Sequence, residues 1–166
     1  IAARDTALPK AGRIVPVFLK IAPDLHDGDL ADVAAEVLEK NVDGVIVSNT
    51  TIARPALKSA GRSETGGLSG RPLFERSTIA LAKMRKLLGP KVAIIGAGGV
   101  DSVETALEKI RAGADLVQLY TGMIYAGPTL PGRIVKGFSN FLDKQGLRSL
   151  SEIRDSRVVQ WADKNA

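Results

Sequence analysis

Residues 92–119 read VAIIGAGGVDSVETALEKIRAGADLVQL, and their pattern decides the fold. Val92 to Ile95 and Leu116 to Leu119 are short apolar runs without polar alternation, as strands buried on both faces read. Between them a helix is expected from near Asp101, with Glu104 three residues on in a capping-box-like arrangement. It carries Val103, Leu107 and Ile110 as an apolar stripe. Gly113 suits the C′ position just past its end, where a left-handed residue closes the turn. Strand, helix, strand in this spacing is a parallel unit with a helical crossover.

The same grammar extends outward. Val15 to Ile21 and Gly44 to Val47 are two further apolar runs. Leu30, Val33, Ala34, Val37 and Leu38 follow helical periodicity, with Asp27 expected as N-cap. Leu81, Met84 and Leu88 mark another stripe, and a helix around Ile134 to Leu142 follows Pro131 and Gly132. From about Leu147 the chain reads as a polar, partly helical tail. The order is β-α-β-α-β-α-β-α, which fits an open doubly wound sheet or part of a closed (β/α)8 TIM barrel. A full barrel takes eight units and about 250 residues. Four units in 166 residues are half a barrel by count. The connection from Ser48 to Pro72 far exceeds the usual two to six or so residues. A loop of that length reads as a lid or binding loop.

Composition removes several chemistries. With no cysteine there is no disulfide, thiolate nucleophile or cysteine metal site. A single histidine, His26, supports neither a histidine metal cluster nor a Ser-His-Asp triad by itself, so no metal site is expected. The net charge of +5 is spread along the chain, and aromatics are only 4%. Nucleic acid is therefore not an expected partner, because single-strand binders interleave basic and aromatic residues. A solvated basic surface or a phosphate-bearing small ligand fits better. No apolar run is long enough to cross a membrane as a helix. The first residue is Ile1, so the chain is expected to begin inside a longer gene product.

In parallel β/α folds, ligands bind at the C-terminal ends of the strands. Inside the end of the first run stands Lys20, which could snorkel, pair with a carboxylate or face an anionic ligand. After the second come Ser48, Asn49, Thr50 and Thr51, rich in donors and acceptors. The long loop carries Ser63-Glu-Thr-Gly-Gly-Leu-Ser-Gly-Arg-Pro72, whose glycines permit close backbone approach. After the third run, Gly96-Ala-Gly-Gly-Val100 leads into a helix and can cradle a phosphate on its N–H groups. It lacks the spacing of the dinucleotide fingerprint. After the fourth come Tyr120, Thr121 and Gly122. In (β/α)8 enzymes the loops after strands seven and eight often share one phosphate site, and these two glycine-bearing loops fit it together.

Taken together, Val17 to Asp24, Ser48 to Thr51, Ser63 to Leu73, Ile95 to Val100, Ala106 to Ala114 and Val117 to Gly122 resemble the class 2, quinone-dependent dihydroorotate dehydrogenases in order and spacing. The resemblance runs from about Val15 to Gly127. It implies that residues 1–166 are the C-terminal half of one FMN-binding (β/α)8 barrel domain. The implied activity is oxidation of dihydroorotate to orotate, with electrons passed to a quinone, in pyrimidine biosynthesis. By the same resemblance Lys20 lies beside the flavin ring near N1 and O2, where its charge stabilises the reduced anion. Ser48, Ser69 and Gly70 contact FMN, while Asn49 and Thr50 hydrogen-bond the orotate. Gly98, Gly99, Tyr120, Thr121 and Gly122 hold the phosphate. The family's catalytic serine base lies in its N-terminal half, and neither Ser63 nor Ser69 stands for it. No catalytic residue is therefore expected here, and these residues alone are not expected to turn over substrate. They are expected to leave a sheet edge and an apolar face exposed. Peripheral association with a bacterial inner membrane, or the mitochondrial one, is implied through the other half. Two rival readings are a class 1 or other phosphate-binding flavin barrel using a soluble acceptor, and a non-catalytic half-barrel. Ile21-Ala-Pro-Asp24 and Asn49-Thr-Thr51 favour class 2 over class 1.

Overall fold

The structure, a computed structural model, describes residues 1–11, 15–54 and 57–164. Its centre is a four-stranded parallel sheet in the order β1 (Phe18–Ile21), β2 (Gly44–Val47), β3 (Ala93–Ala97) and β4 (Leu116–Gln118). Consecutive strands are neighbours, as half of a singly wound barrel requires. Helix α1 (Ala2–Ala11) precedes β1. The crossovers are α2 (Asp27–Glu39), α3 (Phe74–Leu88) and α4 (Val103–Arg111), and α5 (Thr121–Ala126), α6 (Leu130–Gln145) and α7 (Val158–Ala162) follow β4.

Register sorts the sheet into two unequal faces, because successive side chains alternate. Leu19, Val45 and Ile94 share one row, and Ile21, Val47, Gly96 and Val117 the next. Val45, Val47 and Ile94 are fully buried there against Leu30, Ala34, Val37, Leu81 and Met84 of the crossover helices. The opposite face carries Lys20, Ile46, Ile95 and Leu116 in one row. No helix of the described residues covers it, and Leu116 is 61% exposed. The exposed apolar face expected from the sequence is this inner one, together with Tyr125, which is 88% exposed beyond β4.

Several boundaries differ from the sequence reading. The first strand begins at Phe18 rather than Val15, because Pro16 has no N–H for the ladder. β3 runs on to Ala97, which pairs with Gln118. The N-cap of α2 is His26, not Asp27: the Asp29 carboxylate accepts the His26 backbone N–H at 3.0 Å, while Asp27 ion-pairs with Lys83 at 2.6 Å. In α4 the cap is Ser102. Its Oγ accepts the Thr105 N–H at 3.2 Å, and Thr105 Oγ1 accepts the Ser102 N–H at 3.0 Å. Counting three residues from the true cap gives Thr105, so Glu104 has no part in the box.

The polar tail is a packed layer. Val158 and Ala162 are buried, and Trp161 meets Phe74 edge-on with centroids 6.1 Å apart. Glu108 accepts from the Trp161 indole at 2.7 Å and from Arg157 at 2.9 Å, which clamps α7 to α4. Burial by itself would raise the Glu108 carboxyl, but the Trp161 and Arg157 hydrogen bonds outweigh it and hold the group below its ordinary value. The buried Arg85 guanidinium ties strand ends together. It donates to the carbonyls of Gly113, Gly89 and Val92 and to the Asp115 carboxylate.

Candidate functional site

The ends of the four strands and the loops that follow them enclose one open cleft of about 1260 Å3. Every site residue expected from the sequence borders it: Lys20, Ser48, Asn49, Thr50, Ser69, Gly70, Gly98, Gly99, Tyr120, Thr121 and Gly122. Gln118, Leu119, Arg71, Asp101 and Tyr125 also line it and were not singled out by sequence reasoning. For Gln118 the signal was available, since it ends β4 in the same row as Ala97 on the uncovered face. A smaller hollow of about 580 Å3, between Arg71, Phe74, Asp101 and Thr105, lies beside the cleft and is open to solvent.

Lys20 resolves its three readings by position. It is exposed, and it has no ion pair or hydrogen bond among the described residues. It lies on the uncovered face beside Ile46, one residue from the end of β1, and its ammonium is available to a ligand.

The floor after β2 is tightly organised. Ser48 is buried; its N–H donates to the Ala97 carbonyl at 3.2 Å and its Oγ to the Asn49 carbonyl at 2.9 Å. The Val47–Ser48 peptide is cis. The Asn49 N–H donates to the Ile21 carbonyl at 2.8 Å, and its Oδ1 accepts the Thr50 N–H at 2.9 Å. The Asn49 amide NH2 and the Thr50 hydroxyl have no protein acceptor among the described residues.

The long loop is pinned at both ends. Thr51 and Leu68 exchange backbone hydrogen bonds of 3.1 and 2.7 Å. Arg54 holds the crossing inside by donating to the carbonyls of Thr51, Ile52, Glu64 and Gly66. At the far end the Thr121 hydroxyl donates to Ser69 Oγ at 3.0 Å, and Arg71 ion-pairs with Asp101 at 2.8 Å. The loop therefore runs from the β2 floor to the loops after β3 and β4.

Those last two loops touch through missing side chains. A Cβ on Gly99, whose φ is +72°, would lie 2.5 Å from the Cα of Phe74. A Cβ on Gly122 would strike the Val100 carbonyl. Gly122 is thus explained by packing of one loop on the other. The Gly99 N–H finds no protein acceptor among the described residues, so a donor is left for an anion.

The dihydroorotate dehydrogenase family model matches residues 3–142. A curated relative from Mesorhizobium japonicum, named dihydroorotate dehydrogenase (quinone), is 72% identical over 151 residues, covering 90% of this chain and 42% of the relative. One of the same name from Sinorhizobium fredii is 63% identical over 166 residues, 99% of this chain and 46% of that protein. The chain therefore spans less than half the length of these relatives. Among solved structures, Eimeria tenella DHODH in complex with ferulenol superposes with a TM-score of 0.82 at 43% identity, covering 87% of this chain and 39% of that one. The four parallel βα units are a partial (β/α)8 barrel of this kind.

Proposed function

This chain belongs to the dihydroorotate dehydrogenase family, and from that premise we propose that it forms the FMN- and substrate-facing side of a quinone-dependent dihydroorotate dehydrogenase. The observation that carries the reading is the convergence of four strand ends on one cleft. A glycine cradle whose Gly99 N–H has no protein acceptor among the described residues lies at one end of it, and a cation with a polar amide lies at the other. The volume exceeds the range of roughly 300–1000 Å3 common for small-molecule sites, which leaves room for a flavin and a small planar acid together.

In this reading Gly98, Gly99, Tyr120, Thr121 and Gly122 hold the FMN phosphate. Ser48, Ser69 and Gly70 border the ring system. Bound FMN would supply hydride acceptance from dihydroorotate and electron transfer to a quinone. Lys20 supplies a preorganised positive charge where negative charge develops on oxidation of the substrate, the form of electrostatic assistance worth most in a water-poor site. The Asn49 amide and Thr50 hydroxyl orient dihydroorotate and then orotate by hydrogen bonds. No group of this chain is assigned the proton from carbon; that role goes to a serine outside it. Association with the bacterial inner membrane and access of the quinone are part of the same proposal and are assigned no residue here. No helix of the described residues is long and apolar enough to cross a membrane.

The test is a purified full-length protein assayed with dihydroorotate against three acceptors. A yellow protein that reduces quinone faster than fumarate or NAD supports the proposal. Preference for a soluble acceptor would move it to the class 1 reading. A colourless protein that takes up no FMN would leave the half-barrel as a scaffold.

A further inference from the structure

Behind the glycine cradle lies a lysine that the reaction does not use. Lys109 of α4 is fully buried, with a relative exposure of 0%. Its stem crosses β3 at Gly96, where an added Cβ would sit 3.3 Å from its own Cβ. Its ammonium donates to Ser77 Oγ at 2.6 Å and lies 5.1 Å from the centroid of the Phe74 ring. No carboxylate pairs with it among the described residues, and burial alone pushes its ammonium well below the ordinary lysine range. A buried lysine without a counter-ion is costly and needs a reason.

The hydrogen bonds supply one. Ser77 Oγ accepts from Lys109 and is 3.1 Å from the carbonyl oxygens of both Gly98 and Phe74, to which its own O–H can donate. The peptide joining Gly98 to Gly99 is trans, and in a trans peptide the C=O and the N–H point in opposite directions. Holding the Gly98 carbonyl inward against Ser77 therefore turns the Gly99 N–H outward, toward the cleft that both glycines line. The same contact places the ammonium one hydroxyl away from the loop.

We propose that Lys109 and Ser77 form a buried positioning pair that aims the Gly99 N–H into the cleft and makes the cleft select a phosphorylated flavin over an unphosphorylated one. The inference rests on the FMN reading of the cleft and assigns the selectivity to two side chains that touch no ligand. A merely structural lysine gives a different pattern. Replacing a buried unpaired cation by an apolar side chain of similar length is often neutral or stabilising. The flavin-free Lys109→Met protein should therefore be at least as resistant to urea as wild type. Its phosphate selectivity should nonetheless fall.

The experiment removes flavin from the full-length protein and titrates it with FMN and, separately, with riboflavin. Wild type, Lys109→Met and Ser77→Ala are compared. The expected result is FMN affinity weakened about 10-fold or more in both variants, on the scale of a charge-assisted hydrogen bond, with riboflavin affinity within about threefold of wild type. The phosphorus NMR resonance of bound FMN should shift in Ser77→Ala. Should Lys109→Met fail to fold, Ser77→Ala decides by the same two titrations. Equal loss for both flavins, or loss for neither, in a protein whose wild type binds FMN, overturns this inference alone. A wild type that takes up no FMN overturns the functional reading and this inference with it.

Discussion

Replacing Gly99 by alanine separates cradle geometry from general backbone strain. At φ +72° an L-residue costs about 1–2 kcal/mol relative to glycine. The new methyl would also lie 2.5 Å from the Cα and Cβ of Phe74 and 2.6 Å from its N, all atoms at the start of α3 that cannot swing aside. Overpacking of this sort costs about 1–3 kcal/mol, so the total is about 2–5 kcal/mol. Gly146 is the internal control: it caps α6 at φ +65°, and nothing lies within 4 Å of its would-be Cβ. Gly146→Ala should show the strain alone, about 1–2 kcal/mol. Urea unfolding of the flavin-free full-length proteins gives the two losses, and FMN titration gives the functional consequence. Gly99→Ala should lose more stability than Gly146→Ala by about 1–3 kcal/mol. It should also bind FMN about 10-fold more weakly or worse, because relief of the clash displaces the N–H that faces the anion. Equal stability losses with unchanged FMN affinity would refute the packing argument and the cradle together.

Three further outcomes follow from the same contacts. Lys20→Met should leave the urea midpoint unchanged, since the ammonium has no protein partner among the described residues, but slow bleaching of bound flavin by dihydroorotate about 100- to 1000-fold in stopped flow. Arg85→Ala should destabilise by about 1–3 kcal/mol in urea, because it strands the Gly113 carbonyl inside the fold and removes the donor to Gly89 and Val92, while Asp115 keeps Arg154 and the Ile94 N–H. Glu108 is held below the ordinary glutamate value of 4.5, so its contribution is present above that pH and is lost as pH falls through the folded value. Glu108→Gln should therefore flatten the acid limb of the stability–pH curve below about pH 4.5 and leave the neutral region's slope unchanged, read from urea midpoints at each pH.

The sheet was legible because parallel strands are written as uninterrupted apolar runs. Gly44 to Val47 matches β2 residue for residue, while β1 starts three residues later than its run because proline interrupts the ladder. The lining of the cleft was legible because parallel folds put their ligands at strand ends, which points to the segments after each strand, and the resemblance narrowed those segments to eleven residues that all border the cleft. What stayed hidden depends on distance rather than order. Arg85 and Lys109 read as ordinary charges on helices, and only the packing of α3, α4 and β3 shows that both are buried. Arg54 looks like one more basic residue in a loop until its carbonyl partners are counted across the crossing. The tail looked peripheral because its apolar residues are few and spaced, yet Val158, Trp161 and Ala162 close over α3. Helix α5 is six residues long and offers too little periodicity to be read.

A crystal structure of the flavin-loaded full-length protein with orotate bound tests the assignment of the cleft. The account predicts the FMN phosphate within hydrogen-bond distance, about 2.7–3.2 Å, of the Gly99 nitrogen, Lys20 against the flavin ring, and orotate on Asn49 and Thr50. A phosphate bound elsewhere, with the Gly98–Gly99 loop facing solvent or another part of the protein, would contradict it.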